Sequence, residues 1–280
     1  MLLDLIDPTT VQLALLWVLV VAFFAEYIDS TLGMGYGTTL TPILLLAGYS
    51  PLQVVPAILL SEFITGLSAA IMHHRVGNVT LDFRNDAEHE MVKRLGALGY
   101  MPKSIDSRVA LVLALCSFVG AVVAVVVAIN LPKFYLKLII GIIVLSMGVL
   151  ILAKRNTECS FSWNKIVGLG ALASFNKGLS GGGYGPLVTS GQILCGVKSK
   201  SSVGITSFAE SFTCLVGVTA YFVFGAQADW NLAPYLVVGA LMSVPLSAYS
   251  VKRINAEKFT LVIGLATVIL GLFTLWKTLA

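Results

Sequence analysis

The chain alternates long apolar runs with short polar joints. Apolar stretches occupy roughly 11–32, 53–72, 109–129, 134–153, 164–176, 203–225, 232–251 and 259–276. Most approach the roughly 20 residues that a helix needs to cross a hydrocarbon core about 30 Å thick. They are continuously apolar rather than alternating, which excludes a transmembrane β-barrel. The pattern predicts an all-α integral membrane protein.

Two shorter apolar pieces interrupt that rhythm. TTLTPILLLAG runs from Thr38 to Gly48 and PLVTSGQILCG from Pro186 to Gly196. A helix of about 11 residues reaches only about 16 Å, half a membrane, so each piece is expected to be a half-helix. Each follows a glycine-rich turn, STLGMGYG from Ser30 to Gly37 and GLSGGGYG from Gly178 to Gly185. Thr38 and Pro186 are expected in the first helical positions, where proline loses no hydrogen bond.

The two turns belong to a repeat. A shift of 148 residues places Gly33 on Gly181, Gly35-Tyr36-Gly37 on Gly183-Tyr184-Gly185, Thr41 on Thr189, Gly48 on Gly196 and Glu62 on Glu210. Further on, Ile129-Asn130 matches Ile254-Asn255 and Lys133-Phe134 matches Lys258-Phe259 at an offset of 125. The first copy therefore carries 148 − 125 = 23 extra residues, which fall in the polar stretch 73–108. This divides a single membrane domain into a first repeat, 1–153, with an insertion at 73–108, and a second, 154–280.

Basic residues orient the repeats, because Lys and Arg in short loops favour the cytoplasm. The 73–108 stretch holds six, Arg75, Arg84, Lys93, Arg94, Lys103 and Arg108, whereas its counterpart GAQADWN holds none. Lys154, Arg155 and Lys165, and Lys252, Arg253 and Lys258, are placed inside as well; Lys133 and Lys137 fall at an outer turn and dissent. Equivalent loops on opposite sides mean inverted repeats, with both termini outside. Such an arrangement is typical of secondary transporters.

Backbone amides cannot be left bare in lipid, so an irregular turn at membrane depth must be buried or line a polar cavity. Two half-helix starts brought together near the bilayer midplane would offer open amides and two positive dipole ends to an anion. The expected substrate-binding residues are Gly33, Gly35, Tyr36, Gly37, Thr38, Lys177, Ser180, Gly181, Gly182, Gly183, Tyr184 and Gly185. Thr41, Thr189 and Ser190 are further hydroxyl candidates.

Five ionisable residues fall inside apolar segments: Glu26, Asp29, Glu62, Lys177 and Glu210. Such groups are functional candidates by default. Glu62 and Glu210, at one repeat position, either relay protons or cap the amides of the neighbouring turn. Asp29 and Lys177 also share a position and are opposite in sign, so they are expected to pair across the pseudo-axis, either with Lys177 alternating between Asp29 and a bound anion or as a purely structural ion pair.

Composition narrows the class. Hydrophobic residues make up 57% and charged residues 11%, against about 25% charged in a soluble domain. No segment other than 73–108 is left to build a soluble domain with its own core. The N-terminus carries Asp4 and Asp7 with no basic residue, so the first apolar run is expected to stay in the mature chain. Cys116, Cys159, Cys195 and Cys214 lack paired spacing, and adjacent His73 and His74 with His89 do not converge, so neither a disulfide framework nor a metal site is expected. The histidines and Arg75 read as an interfacial loop, and DAEHEMVKRL as a short surface helix. Neither glycine turn has a P-loop ending, the net charge of +4 is spread over loops, and nothing points to a cofactor, nucleic acid or an enzyme. A homodimer is compatible with so much apolar surface.

The two GxGxG-type turns, each followed by a short helix and a Ser/Ala-Glu pair (Ser61-Glu62 and Ala209-Glu210), and the HHRVGNV that follows the first copy, resemble the TauE/SafE sulfite exporter family. The resemblance implies a multi-pass transporter of the bacterial or archaeal cytoplasmic membrane. It also implies a sulfur-containing anion as substrate, such as sulfite, sulfoacetate or a related organosulfonate, and movement driven by protons. Uptake of sulfate or thiosulfate, and a sodium/proton-type cation exchanger built on the carboxylates, are the alternatives. The second turn, with Gly181, Gly182, Gly183, Gly185 and Lys177, is expected to be the stronger anion contact.

Overall fold

The computed structural model describes residues 8–47, 49, 51–84, 93, 101–128, 133–154, 160–180, 184–223 and 230–279. The first half supplies α1 (Pro8–Leu32), α2 (Tyr36–Leu46), α3 (Pro51–Val76), α4 (Ile105–Ala128) and α5 (Lys133–Lys154). The second supplies α6 (Trp163–Ser180), α7 (Tyr184–Leu194), α8 (Ser199–Val223), α9 (Ala233–Arg253) and α10 (Ala256–Leu279). Among the described residues, Gln53–Val76, Ser199–Val223, Ala233–Arg253 and Ala256–Leu279 are long and apolar enough to cross a membrane.

The half-length helices are present, at 11 residues each, and both begin at the tyrosine. That is two residues earlier than the proline and threonine positions suggested. In the first half the reason is local: the carboxylate of Asp29 accepts from the Tyr36 amide at 3.0 Å and lets the helix start there. Pro186 then sits third in α7, still within the turn whose amides have no helical partner.

Helices pack in a pattern that survives exchange of the halves. α4 lies on α6 as α9 lies on α1, and α4 lies on α8 as α9 lies on α3. The remaining major pairs, α3 with α8 and α5 with α10, each join a helix to its own repeat partner. Both of these run antiparallel. Leu59 adjoins Gly217, Glu62 meets Cys214, Gly66 adjoins Ser207 and Ser211, and Asn78 meets Ser201. Gly141 lies by Leu275, Gly148 by Val268 and Gly264 by Leu152. Small residues let these backbones approach: a Cβ on Gly148 would lie 2.7 Å from Val268 N.

Each half-helix sits in its own apolar shell. Tyr36, Leu40 and Leu44 of α2 pack with Val18 and Ala22 of α1, Val54 and Ile58 of α3 and Leu236 of α9. Tyr184, Leu187 and Val188 of α7 pack with Leu113 of α4, Ile166 and Leu169 of α6 and Ile205 of α8.

One end of the bundle gathers the basic residues. Asn78, just past α3, donates through Nδ2 to Ala248 O of α9 at 2.8 Å, and Ser201 of α8 donates to Asn78 O at 3.3 Å. Lys200 Nζ donates to Lys252 O at 2.8 Å. The neck of the insertion therefore shares an end with Lys252 and Arg253, as the charge count requires. This neck is ordered: β1 (Phe83–Arg84) pairs antiparallel with β2 (Met101–Pro102), and Phe83 stacks on Phe208 of α8. Ser104 caps α4 by accepting from Ser107 N at 3.0 Å. DAEHEMVKRL lies outside the described residues, except for Lys93.

Candidate functional site

The two half-helix starts touch. α1 ends at Gly33, whose φ of 72° is the left-handed conformation that glycine adopts without strain. Its amide donates to Asp29 O and its carbonyl accepts from Thr189 Oγ1 of α7 at 2.9 Å. A Cβ on Gly185 would overlap that same Gly33 carbonyl and lie 2.8 Å from Met34 Cα. At this point the turns meet backbone to backbone, with no space between them, rather than facing each other across a gap.

In the first half the amides at the tip are already occupied. Tyr36 N donates to Asp29 Oδ1 at 3.0 Å and Gly37 N to Glu62 Oε1 at 3.1 Å. Cys214 Sγ of α8 lies 3.2 Å from the other oxygen of Glu62. Helix starts attract negative charge, and here the chain's own carboxylates supply it. Behind them lies a third, Glu26, buried, accepting from Ser30 Oγ at 2.5 Å and lying 3.3 Å from Thr65 Oγ1. Tyr36 is fully buried, with its hydroxyl 2.7 Å from Ser61 Oγ and 3.4 Å from Leu236 O.

The second half is lined differently. Thr189 Oγ1 lies 3.0 Å from Thr206 Oγ1, and Gln192 Nε2 donates to Thr206 Oγ1 at 2.9 Å. Ser190 Oγ and Thr267 Oγ1 of α10 are 2.7 Å apart. Tyr184 is as buried as Tyr36, and its hydroxyl lies 3.5 Å from Ser117 Oγ of α4, the helix equivalent to α9. Glu210 is buried in α8 at the repeat position of Glu62.

The structure thus brings together Gly33, Gly35, Tyr36, Gly37, Asp29 and Glu62 of the first tip with Tyr184 and Gly185 of the second. The side chains of Thr38, Lys177 and Ser180, and all of Gly181, Gly182 and Gly183, lie outside the described residues, as does any pairing of Asp29 with Lys177.

The pattern of the sequence misplaced His73. It is not in a loop: α3 continues to Val76, and His73 is fully buried, with Nε2 2.8 Å from Ser30 O and Nδ1 3.0 Å from Asn78 Nδ2. Since Asn78 Nδ2 can only donate and Ser30 O can only accept, the imidazole is neutral with its proton on Nε2. His74, one position on, faces outward, and the two point apart as adjacent helical residues must. Thr65, Thr206 and Gln192 carry no motif or repeat signal, although each is a polar residue inside an apolar run.

Comparison with known proteins gives this arrangement a family. The model of "Sulfite exporter TauE/SafE" matches residues 18–84 and 91–274, which takes in both half-helices and both tips. The chain belongs to the sulfite exporter TauE/SafE family. It is also similar to the "Probable membrane transporter protein YtnM" of Bacillus subtilis (strain 168), with 23% identity over 259 residues, covering 87% of this chain and 77% of that one. No solved structure matches the chain. Membership makes the protein a multi-pass membrane transporter. The break in the family match at 85–90 falls inside the insertion that the repeat offset located.

Proposed function

We propose that the protein is a secondary transporter that exports small sulfur-containing anions, such as sulfite or sulfoacetate, in exchange with or alongside protons. The anion is held at the start of α7, and the coupling protons are carried by Glu62, Glu210 and Asp29. The observation that carries this reading is the difference between two touching tips. Glu62 and Glu210 share a repeat position, but Asp29, which accepts from the first amide of α2, is replaced in the second half by Lys177. A basic residue at this sequence position favours an external anion where an acidic one disfavours it.

The halves are read as inverted repeats about an axis in the membrane plane, with the tips near the midplane. Antiparallel pairing of α3 with α8 and of α5 with α10 supports this, because a two-fold axis relating antiparallel membrane-crossing helices lies in that plane. With the basic end in the cytoplasm, both termini face outward. The packed units cross the repeats 1–153 and 154–280, joining α9 to α1–α3 and α4 to α6–α8, and these two then serve as the rocking units, whether in a monomer or in a homodimer.

Proteoliposome flux tests the reading. Sulfite, sulfoacetate, sulfate and thiosulfate are offered under imposed pH gradients; at least one is expected to move, faster with the gradient, and less after Lys177→Ala. Flux of none of them would overturn it. The clustering of Glu26, Asp29 and Glu62 favours a second reading, a cation exchanger, whose mark is sodium-dependent cation flux that survives Lys177→Ala.

A further inference from the structure

At the far end of α7 lies a buried group outside the two tips. Gln192 is fully buried, one helical turn beyond Thr189. Its Nε2 donates to Thr206 Oγ1 at 2.9 Å and lies 3.3 Å from Ser202 O. Its Oε1 is buried with no hydrogen-bond partner among the described residues. The amide is not simply drawn the wrong way round, because the atom facing the Ser202 carbonyl must be a donor.

A buried amide left half satisfied is costly, and most natural structures avoid it. The fold itself offers a cheaper solution at this place. Under the shift of 148 residues Gln192, Ser202 and Thr206 correspond to Leu44, Val54 and Ile58. Those three form part of the continuous apolar core around α2. The second half has replaced that apolar contact with an amide and two hydroxyls, and has left one acceptor open.

The location suits a passing solute. α7 leads from the tip at Gly185 to Gly196 and Lys198, at the end of the bundle where Lys198, Lys252 and Arg253 are exposed. Gln192 therefore stands between the basic end of the bundle and the tip where the proposed substrate site lies.

We propose that Gln192 is a substrate-contacting, specificity-determining residue on the path between the basic end and the tip, and that it selects a small oxyanion still carrying a proton, of the hydrogen sulfite type. Oε1 takes a hydrogen bond from the O–H of the solute, while Nε2, released from Thr206, donates to one of its charged oxygens. A fully deprotonated dianion such as sulfate meets the same carbonyl acceptor to acceptor and is disfavoured. The inference rests on the anion-transport reading.

The test compares wild type with Gln192→Met in proteoliposomes, at a pH where sulfite is mostly hydrogen sulfite, with thermal melting in detergent alongside. Methionine removes the open acceptor and keeps the length, so Q192M is expected to melt at or above wild type while its KM for sulfite rises about tenfold, the loss typical of a hydrogen bond to a charged group. Competition by sulfate, weak in wild type, is expected to strengthen relative to sulfite. A lower melting point with unchanged KM and unchanged sulfate competition would overturn the proposal and make the amide structural. If Q192M does not fold, Gln192→Leu, which restores the residue of the repeat partner Leu44 and removes both donor and acceptor, is expected to raise the KM likewise; a folded Q192L with unchanged KM would equally overturn it. Wild type that neither moves sulfite nor is stabilised by it sinks the transport reading and this inference together, whereas sulfite flux indifferent to position 192 sinks the inference alone.

Discussion

α2 and α7 have the same length, both open on a buried tyrosine followed by glycine, and each is wrapped by equivalent helices. They differ in what surrounds them. Around α2 the tip carries the chain's own negative charge, from Asp29 and Glu62, and the flank at Leu44, Val54 and Ile58 is apolar. Around α7 Glu210 keeps the position of Glu62, but the position of Asp29 holds Lys177, and the flank is Gln192, Ser202 and Thr206. A duplicated scaffold has thus been divided into a sealed half and a polar half. In a bilayer this division matters, since every unsatisfied polar group there is expensive and its presence argues for use.

The largest effect expected on stability separates two equivalent glycines. Gly185→Ala drives a Cβ into the backbone of Gly33 and is expected to cost about 3 kcal/mol and much of the transport. Its repeat partner, Gly37→Ala, meets only the movable Glu62 carboxylate, at 3.0 Å, and is expected to cost about 1 kcal/mol or less. Melting curves in detergent read both; a reversal of the order would show that the tips are not packed as described.

Next comes the seal itself. Glu62→Ala strips the acceptor from Gly37 N and Cys214 and is expected to cost about 1–3 kcal/mol. Glu62→Gln keeps an oxygen for Gly37 N and is expected to lose less than half as much, while removing the response of transport to a pH gradient. A Gln variant that still couples to protons would leave Glu62 a cap and nothing more. Smallest is Asp29→Asn, which retains an acceptor for Tyr36 N and is expected to stay within about 0.5 kcal/mol of wild type. A larger loss would mean that the negative charge, and not the hydrogen bond, starts α2.

The half-helices were legible because the repeated Gly-Tyr-Gly is a local signal, and a duplicated one filters chance. The neck end and the basic end were also legible, from lysines and arginines alone. The role of Glu62 was not. Relay and cap use the same residue in the same segment, and only the 3.1 Å contact with Gly37 N favours the cap, without excluding a proton. His73 was missed because a polar HHR at the end of an apolar run looks like a loop, and burial depends on which way one helical position faces. Gln192 is silent in the sequence for a different reason: the repeat marks only what the two halves share, and its repeat partner is Leu44.

The central claim is the asymmetry between the tips, and paired affinity measurements test it most directly. Sulfite binding is followed by the rise in melting temperature with concentration, which tracks occupancy of the folded state, in wild type, Lys177→Ala and Asp29→Ala. The account predicts that loss of Lys177 weakens binding at least about tenfold, the range for a charge-assisted contact, while loss of Asp29 leaves it equal or tighter. Equal weakening by both variants, or weakening by Asp29→Ala alone, would contradict the division of the molecule into a sealed half and an anion-binding half.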